Sequence, residues 1–237
     1  MQPSVHDFAA RAASAGRDPM LMGALAKLQR ASRVSRIAVR ARLPEFDALR
    51  DAAVAIKDHT LANLDLYLEA FERRVIEAGG HVHWCRSAAE ARDTILRICR
   101  ARGARLVAKG KSMASEEIGL NDHLIANGFE VVETDLGEYI LQLRGEPPSH
   151  IVMPAIHLTR GQIADTFRAH HTDLPADRPM ADARALTDEA RTKLRGKFLA
   201  ADIGITGATD PLVFRERGTP IRALATVVEK NHFTLTV

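Results

Sequence analysis

The densest run of side chains able to do chemistry is Lys109-Gly110-Lys111-Ser112-Met113-Ala114-Ser115-Glu116-Glu117. It follows the apolar Leu106-Val107-Ala108 and opens a helical pattern, where free backbone N–H groups favour an anion. Two lysines and two serines add charge and donors, so a carboxylate or phosphate suits the run. The Gly-x-x-x-x-Gly-Lys-Ser/Thr spacing of a nucleotide-binding loop is absent. Ordinary capping by Ser112 or Ser115, with Glu116 and Glu117 complementing the helix dipole, suits it equally. The spacing leaves both readings open.

A second run, Glu133-Thr134-Asp135-Leu136-Gly137-Glu138, crowds three carboxylates just past the apolar stretch Phe129–Val132. Such crowding can raise one carboxyl pKa for proton transfer or gather oxygens for a cation. Alternatively, Asp135 caps a short helix with Glu138 three residues on. A third run ends at His157, after a predicted strand Ile151–Met153, where catalytic groups often sit; a lone histidine is more often a hydrogen-bonded structural residue. His81 and His83 share one strand face but have no third ligand nearby in sequence, so no metal site is expected. Cys85 and Cys99 are the two cysteines of the chain. They cannot supply a disulfide framework, a four-thiolate zinc site or a cubane cluster.

These runs need a scaffold, and the sequence predicts one. Leu61, Leu64, Leu68, Phe71 and Val75 predict a helix over 61–78, closed by Gly79-Gly80. His81–Cys85 alternates as a strand, and Ser87 with Glu90 forms a capping box before a helix burying Ala91, Ile95 and Ile98. Leu106–Ala108 and Phe129–Val132 read as strands, Ser115–Asn127 and Glu138–Leu143 as helices, and Thr159–His170 as another helix. Residues 172–186 read as a loop, Thr187–Ala200 as a helix capped by Thr187, and Ile203–Ile205 as a strand. The tail 221–237 has β-like alternation. Strands alternating with helices predict an α/β fold with a mainly parallel sheet covered on both faces, and ligands at the carboxyl ends of its strands.

The chain has 237 residues, 46% hydrophobic and 27% charged, enough for a substantial core. No stretch reaches the length of a transmembrane helix. Met20–Ala26 reads as an amphipathic or buried helix, not a leader. A cytoplasmic location with reduced thiols is expected. The formal charge of +3 is uneven: residues 1–50 hold nine Lys/Arg against four acids, and the remainder 24 against 26. That basic arm suits phosphates or an acidic partner. The scarcity of interleaved aromatics speaks against nucleic acid.

Taken together, the runs resemble the lactate-utilisation (LUD) domain family, in particular its LutB-like members. The resemblance rests on "KGKSMASEEIGLN" from Lys109, "ETDLGEYILQ" from Glu133 and "GEPPSHIVMPAIH" from Gly145. Flanking stretches from Leu43 ("LPEFDALRDAAVAIKDHTLANLDLYLEAFE") and Lys197 ("KFLAADIGITGA") are also similar. Coverage is roughly residues 10–208. The resemblance implies a fold of the sugar-phosphate isomerase and CoA-transferase (NagB/RpiA-like) type. The expected domain limits are 1–58 for the basic helical arm, 59–208 for the LUD-like domain and 209–237 for a divergent tail. It also implies a role in oxidising L-lactate to pyruvate, within an iron–sulfur complex with LutA-like and LutC-like partners. LutB-like proteins carry a C-terminal ferredoxin-like module, of which no residue is present here. From Thr209 the sequence departs from the family pattern, as a truncated, frame-shifted or naturally short chain would.

On this reading Lys109, Lys111, Ser112, Ser115 and Asn121 hold a small carboxylate or phosphate. Glu116, Glu133, Asp135, Glu138 or His157 handles protons. Iron–sulfur clusters are expected in a missing module or in partner subunits, and none in this chain; a homo-oligomer is open. With no Gly-x-Gly-x-x-Gly after a predicted strand, a nicotinamide site is unsupported, so the chain alone is not expected to oxidise lactate. Two other readings stay open: a stand-alone transferase or isomerase acting on an acyl-CoA or sugar phosphate, and a non-catalytic assembly module.

Overall fold

The computed structural model describes residues 8–206 and the backbone of 226–229. The predicted tail strands lie otherwise outside the described residues. Four helices come first: α1 (Phe8–Ala15), α2 (Pro19–Ala41), α3 (Phe46–Ala62) and α4 (Leu64–Glu77). Asp18 caps α2 by accepting from the N–H groups of Met20 and Leu21, with Pro19 at the first turn. None of these four helices buries a residue. The helix predicted over 61–78 is two, because the chain breaks at Asn63.

The body alternates as expected: β1 (Val82–Cys85), α5 (Ala88–Ala101), β2 (Leu106–Lys109), α6 (Met113–Glu117), α7 (Leu120–Ala126), β3 (Glu130–Glu133) and α8 (Leu136–Arg144). Then come α9 (Arg160–His170), α10 (Ala183–Ala200), β4 (Ile203–Ile205) and β5 (Thr226–Glu229). All pairings among the described residues are parallel: β3-β2-β4 form one sheet, and β1 pairs with β5. The chain is α/β, with a parallel three-stranded sheet flanked by helices and a helical N-terminal arm.

Period-two alternation sorts β2 and β3 between two cores. Val107 and Val131 pack with Ala91, Leu96 and Cys99 of α5 and with Leu120 and Leu124 of α7. Leu106 and Val132 face the other way, into Tyr139, Ile140, Phe167 and Leu186 of α8, α9 and α10. The connection leaving β2 therefore goes to one face and the connection leaving β3 to the other. Neighbouring strands whose exits diverge in this way open a crevice at their carboxyl ends.

Several local expectations change. The predicted Ser115–Asn127 helix breaks into α6 and α7 at Gly119, whose φ of +64° suits glycine. In α5, Leu96 and Cys99 are buried more deeply than Ile95 and Ile98. Ser87 does cap α5, but Glu90 accepts from the Arg86 N–H, one residue before the cap. The cap of α10 is Asp182; Thr187 lies inside the helix and donates to the Ala183 carbonyl. Ile151–Met153 is a bend, not a strand, with Ile151 and Val152 exposed. His150 explains it: its Nδ1 accepts from the N–H groups of Val152 and Met153, taking donors a sheet would need.

Candidate functional site

The two chemistry-bearing runs meet where the topology opens its crevice. Lys109 ends β2 and Glu133 ends β3, and the two are register partners. Lys109 Nζ lies 2.7 Å from Glu133 Oε1. Both side chains point toward the α5–α7 face, as Val107 and Val131 do two residues earlier. Both are buried. Lys109 also donates to Ser115 Oγ at 3.0 Å, and Asn121 Nδ2 donates to Glu133 Oε1 at 2.6 Å. The cluster thus draws on β2, β3, α6 and α7.

Local sequence explains how each part is held. Ser112 caps α6 by accepting from Ser115 N, and Ser115 Oγ donates back to the Ser112 carbonyl at 2.8 Å. Gly110 N donates to the Ile205 carbonyl at 2.7 Å, fastening the Lys109-Gly110-Lys111 turn to the end of β4. A Cβ at Gly110 would lie 3.3 Å from Thr206 Oγ1, a tight contact that the Thr206 side chain would have to relieve. Thr134 donates from both N and Oγ1 to the Lys109 carbonyl, extending the β2–β3 pairing by one step.

Lys111 spans the crevice. Its Nζ is 3.4 Å from Glu138 Oε1 on α8 and 3.4 Å from the Val152 carbonyl, long contacts that leave donor capacity. Glu116 approaches from α6. Burial, with the charges of Glu138 and Glu133, pushes its carboxyl up; Lys109 and Lys111 pull the other way. Glu138 is likewise pushed up by burial, against the pull of Lys111. Three buried oxygens here face no hydrogen-bond partner among the described residues: Glu116 Oε1, Asn121 Oδ1 and Glu133 Oε2. Polar atoms left so in a native interior mark a place for a ligand or water.

Two expected site residues stand apart from the ion pairs. Asp135 caps α8, its Oδ1 accepting from the N–H groups of Gly137 and Glu138, and Glu138 turns to Lys111 instead of completing a box. His157 has no strand before it; its Nδ1 lies 2.7 Å from Ser149 Oγ and its Nε2 3.3 Å from Glu146 Oε2. Glu146 is held below the usual carboxylate range by Arg144 and His157. Their loop is still a wall of the crevice through Val152, and Pro154 lies so close to Gly137 that a Cβ there would be 2.8 Å from its Cγ. No group of three or more His, Cys, Asp or Glu able to hold a metal occurs among the described residues.

Sequence reasoning misses Gln142. Among the described strands β3 is an outer one, and the Gln142 amide of α8 bonds along its open edge. Its Oε1 accepts from Glu133 N at 3.0 Å and its Nε2 donates to the Val131 carbonyl at 2.7 Å. It also misses a buried relay behind α8. Tyr139 Oη lies 2.9 Å from His171 Nε2, and His171 Nδ1 lies 2.8 Å from Glu189 Oε1. A carboxylate only accepts, so Nδ1 carries the proton and Tyr139 donates to Nε2. A groove of about 520 Å³ between Thr134, Leu136 and α10 shares no side chain with the ion-pair cluster.

The pattern of the LUD domain family matches residues 68–209. The chain is 43% identical over 201 residues to the uncharacterized electron transport protein YkgF of Escherichia coli K12, covering 85% of this chain and 42% of that protein. It is 42% identical over 192 residues to lactate utilization protein B of Macrococcus caseolyticus, covering 81% and 39%. With lactate utilization protein B of Bacillus subtilis the identity is 41% over 192 residues, covering 79% and 38%. The chain thus spans about two-fifths of the length of these relatives. No solved structure matches it.

Proposed function

The chain belongs to the LUD-domain family, and from that membership we propose that it serves as the LUD portion of a LutB-like subunit in a complex oxidising L-lactate to pyruvate. Its part is to hold a small carboxylate or phosphate in the crevice between β2 and β3. The observation that carries this reading is the buried Lys109–Glu133 pair with Lys111, Glu116 and Glu138 beside it. Lys111 has donor capacity for an anion, and the buried acceptors can take a hydroxyl hydrogen. The fold type we infer is the NagB/RpiA-like one, and the setting cytoplasmic; no described helix is long and apolar enough to cross a membrane.

Oxidation of lactate releases two electrons and two protons, one of them from the hydroxyl. A carboxylate of the cluster takes that proton. The two electrons leave with the Cα hydrogen, together a hydride equivalent, and need a redox acceptor that side chains do not supply. A four-thiolate iron–sulfur cluster does not fit this chain's own residues. Cys85 and Cys99 are its two thiols, both buried, and both pack in the core around α5. In this reading the clusters belong to another module or to LutA-like and LutC-like partners, and the step at the crevice is confined to binding and proton transfer.

The test is lactate-dependent dye reduction by the reconstituted complex, with and without this chain. The reading expects turnover to need the chain, and Lys111→Ala to weaken anion binding about tenfold, the loss of one charge-assisted contact. Full turnover without the chain, or unchanged binding and turnover in Lys111→Ala combined with Glu116→Gln, overturns it. Turnover of an acyl-CoA or sugar phosphate by the chain alone would replace it with a transferase or isomerase.

A further inference from the structure

The arm leaves two complementary helix faces uncovered. In α2 the residues Lys27, Arg30, Arg33, Arg36 and Arg40 are its charged residues, all cationic. Arg30, Arg33, Val34 and Ile37 fall at helical offsets that put them on one face. Val34 is 68% and Ile37 61% exposed. In α3, Asp51, Val54, Asp58 and Leu61 likewise share a face, with Val54 and Leu61 about half exposed. α2 makes no extensive contact with any other described element. The corner between the two helices is bridged by Arg40, which donates to Asp47 and lies over the Phe46 ring. No other described element packs extensively on the α2 face; on the α3 face Asp51 is held by the neighbouring Arg50 at 2.8 Å, while Asp58 stands two turns on.

We propose that the arm pairs with a second copy of this chain, α2 of each protomer lying on the Asp51–Leu61 face of its partner's α3. Charge decides the pairing. α2 against α2 sets five cations against five, whereas α2 against α3 brings arginines to aspartates over exposed Val, Ile and Leu. Because each chain carries both faces, a two-fold dimer uses both at once, the closed arrangement most homo-oligomers adopt. The apolar residues supply the burial, and the charges fix which face meets which. An acidic groove on another protein would suit α2, but it would leave the matching face of α3 without a purpose.

Light scattering on the eluting 237-residue chain at about 50 µM, well above an ordinary dimer Kd, is expected to give twice its 26.0 kDa mass. Arg30→Glu with Arg33→Glu, and separately Asp51→Arg with Asp58→Arg, are each expected to run as folded monomers, with helix content checked by circular dichroism. Mixing the two variants restores both matched contacts, and the dimer mass is expected to return. A wild-type monomer overturns the proposal, whether or not it sediments with anionic phosphatidylserine vesicles. So does a dimer that survives both reversals, or a mixture of folded variants that stays monomeric.

Discussion

Lys109 and Glu133 sit opposite each other on adjacent parallel strands, and their charged ends meet at 2.7 Å with 0% and 5% of the side chains exposed. Each is the last residue of its strand, so the pair closes the sheet at the point where its loops begin. A buried pair adds little over an apolar pair of the same shape, but removing one member strands the other.

Glu133→Ala is therefore expected to destabilise the chain by about 3–5 kcal/mol, with Lys109 left unpaired in the interior. Lys109→Met together with Glu133→Leu should recover most of that loss while abolishing anion binding. Urea unfolding of the three proteins checks it; a single variant as stable as wild type would show that the pair is solvated in solution.

The pH dependence of stability follows from Glu116 and Glu138, both pushed above the usual carboxylate value chiefly by burial. Between the unfolded pKa and the raised native one, the folded chain holds more protons than the unfolded chain. Stability therefore falls as pH rises through that window and stays lower above it. Glu116→Gln should flatten its share of this decline and leave the chain more stable than wild type at neutral pH. Denaturant midpoints from pH 4 to 8 measure it, and a wild-type midpoint that climbs with Glu116 ionisation contradicts it.

His171 titrates with the opposite sign. Burial holds its pKa below the ordinary histidine value, against the pull of Glu189. Between the lowered native pKa and the unfolded value, the unfolded chain binds more protons, so this contribution is lost as pH falls through the window. Protonation puts a second N–H on Nε2, where the Tyr139 hydroxyl now donates. Around the ring stand Tyr139 of α8, Phe167 and His170 of α9, Glu189 and Lys193 of α10, and Arg178 on Glu189. Tyr139→Phe should cost about 1–2 kcal/mol, the price of an unpaired buried acceptor. A chemical-shift titration of the His171 ring that places its pKa at or above the ordinary value would refute the assignment.

The site was legible in the sequence to the extent that chemistry followed strand ends. The Lys109 and Glu133 runs each trail an apolar stretch, and that pattern places them at the carboxyl edge of a parallel sheet. Their meeting was not legible, because it depends on β2 lying beside β3, a pairing made across an intervening helix pair. Ile151–Met153 is apolar enough to read as a strand, yet His150 diverts its N–H groups, a local bond that periodicity does not register. The Tyr139–His171–Glu189 relay joins residues 32 and 18 positions apart, each looking like an ordinary helix or loop residue. Gln142 stood inside a recognised run, but its role as a substitute strand needs β3 to be at the edge.

The divergent exits of β2 and β3 divide the interior into two packing units that share only a thin wall of strand. Lys111 leaves β2 toward one unit, and Glu138 begins the helix that belongs to the other; their long contact is a loose clasp across the seam. A guest that grips both would lock the halves against independent opening. Occupancy of the crevice then registers as slower amide exchange in α7 and α9 together, although the two helices line different cores.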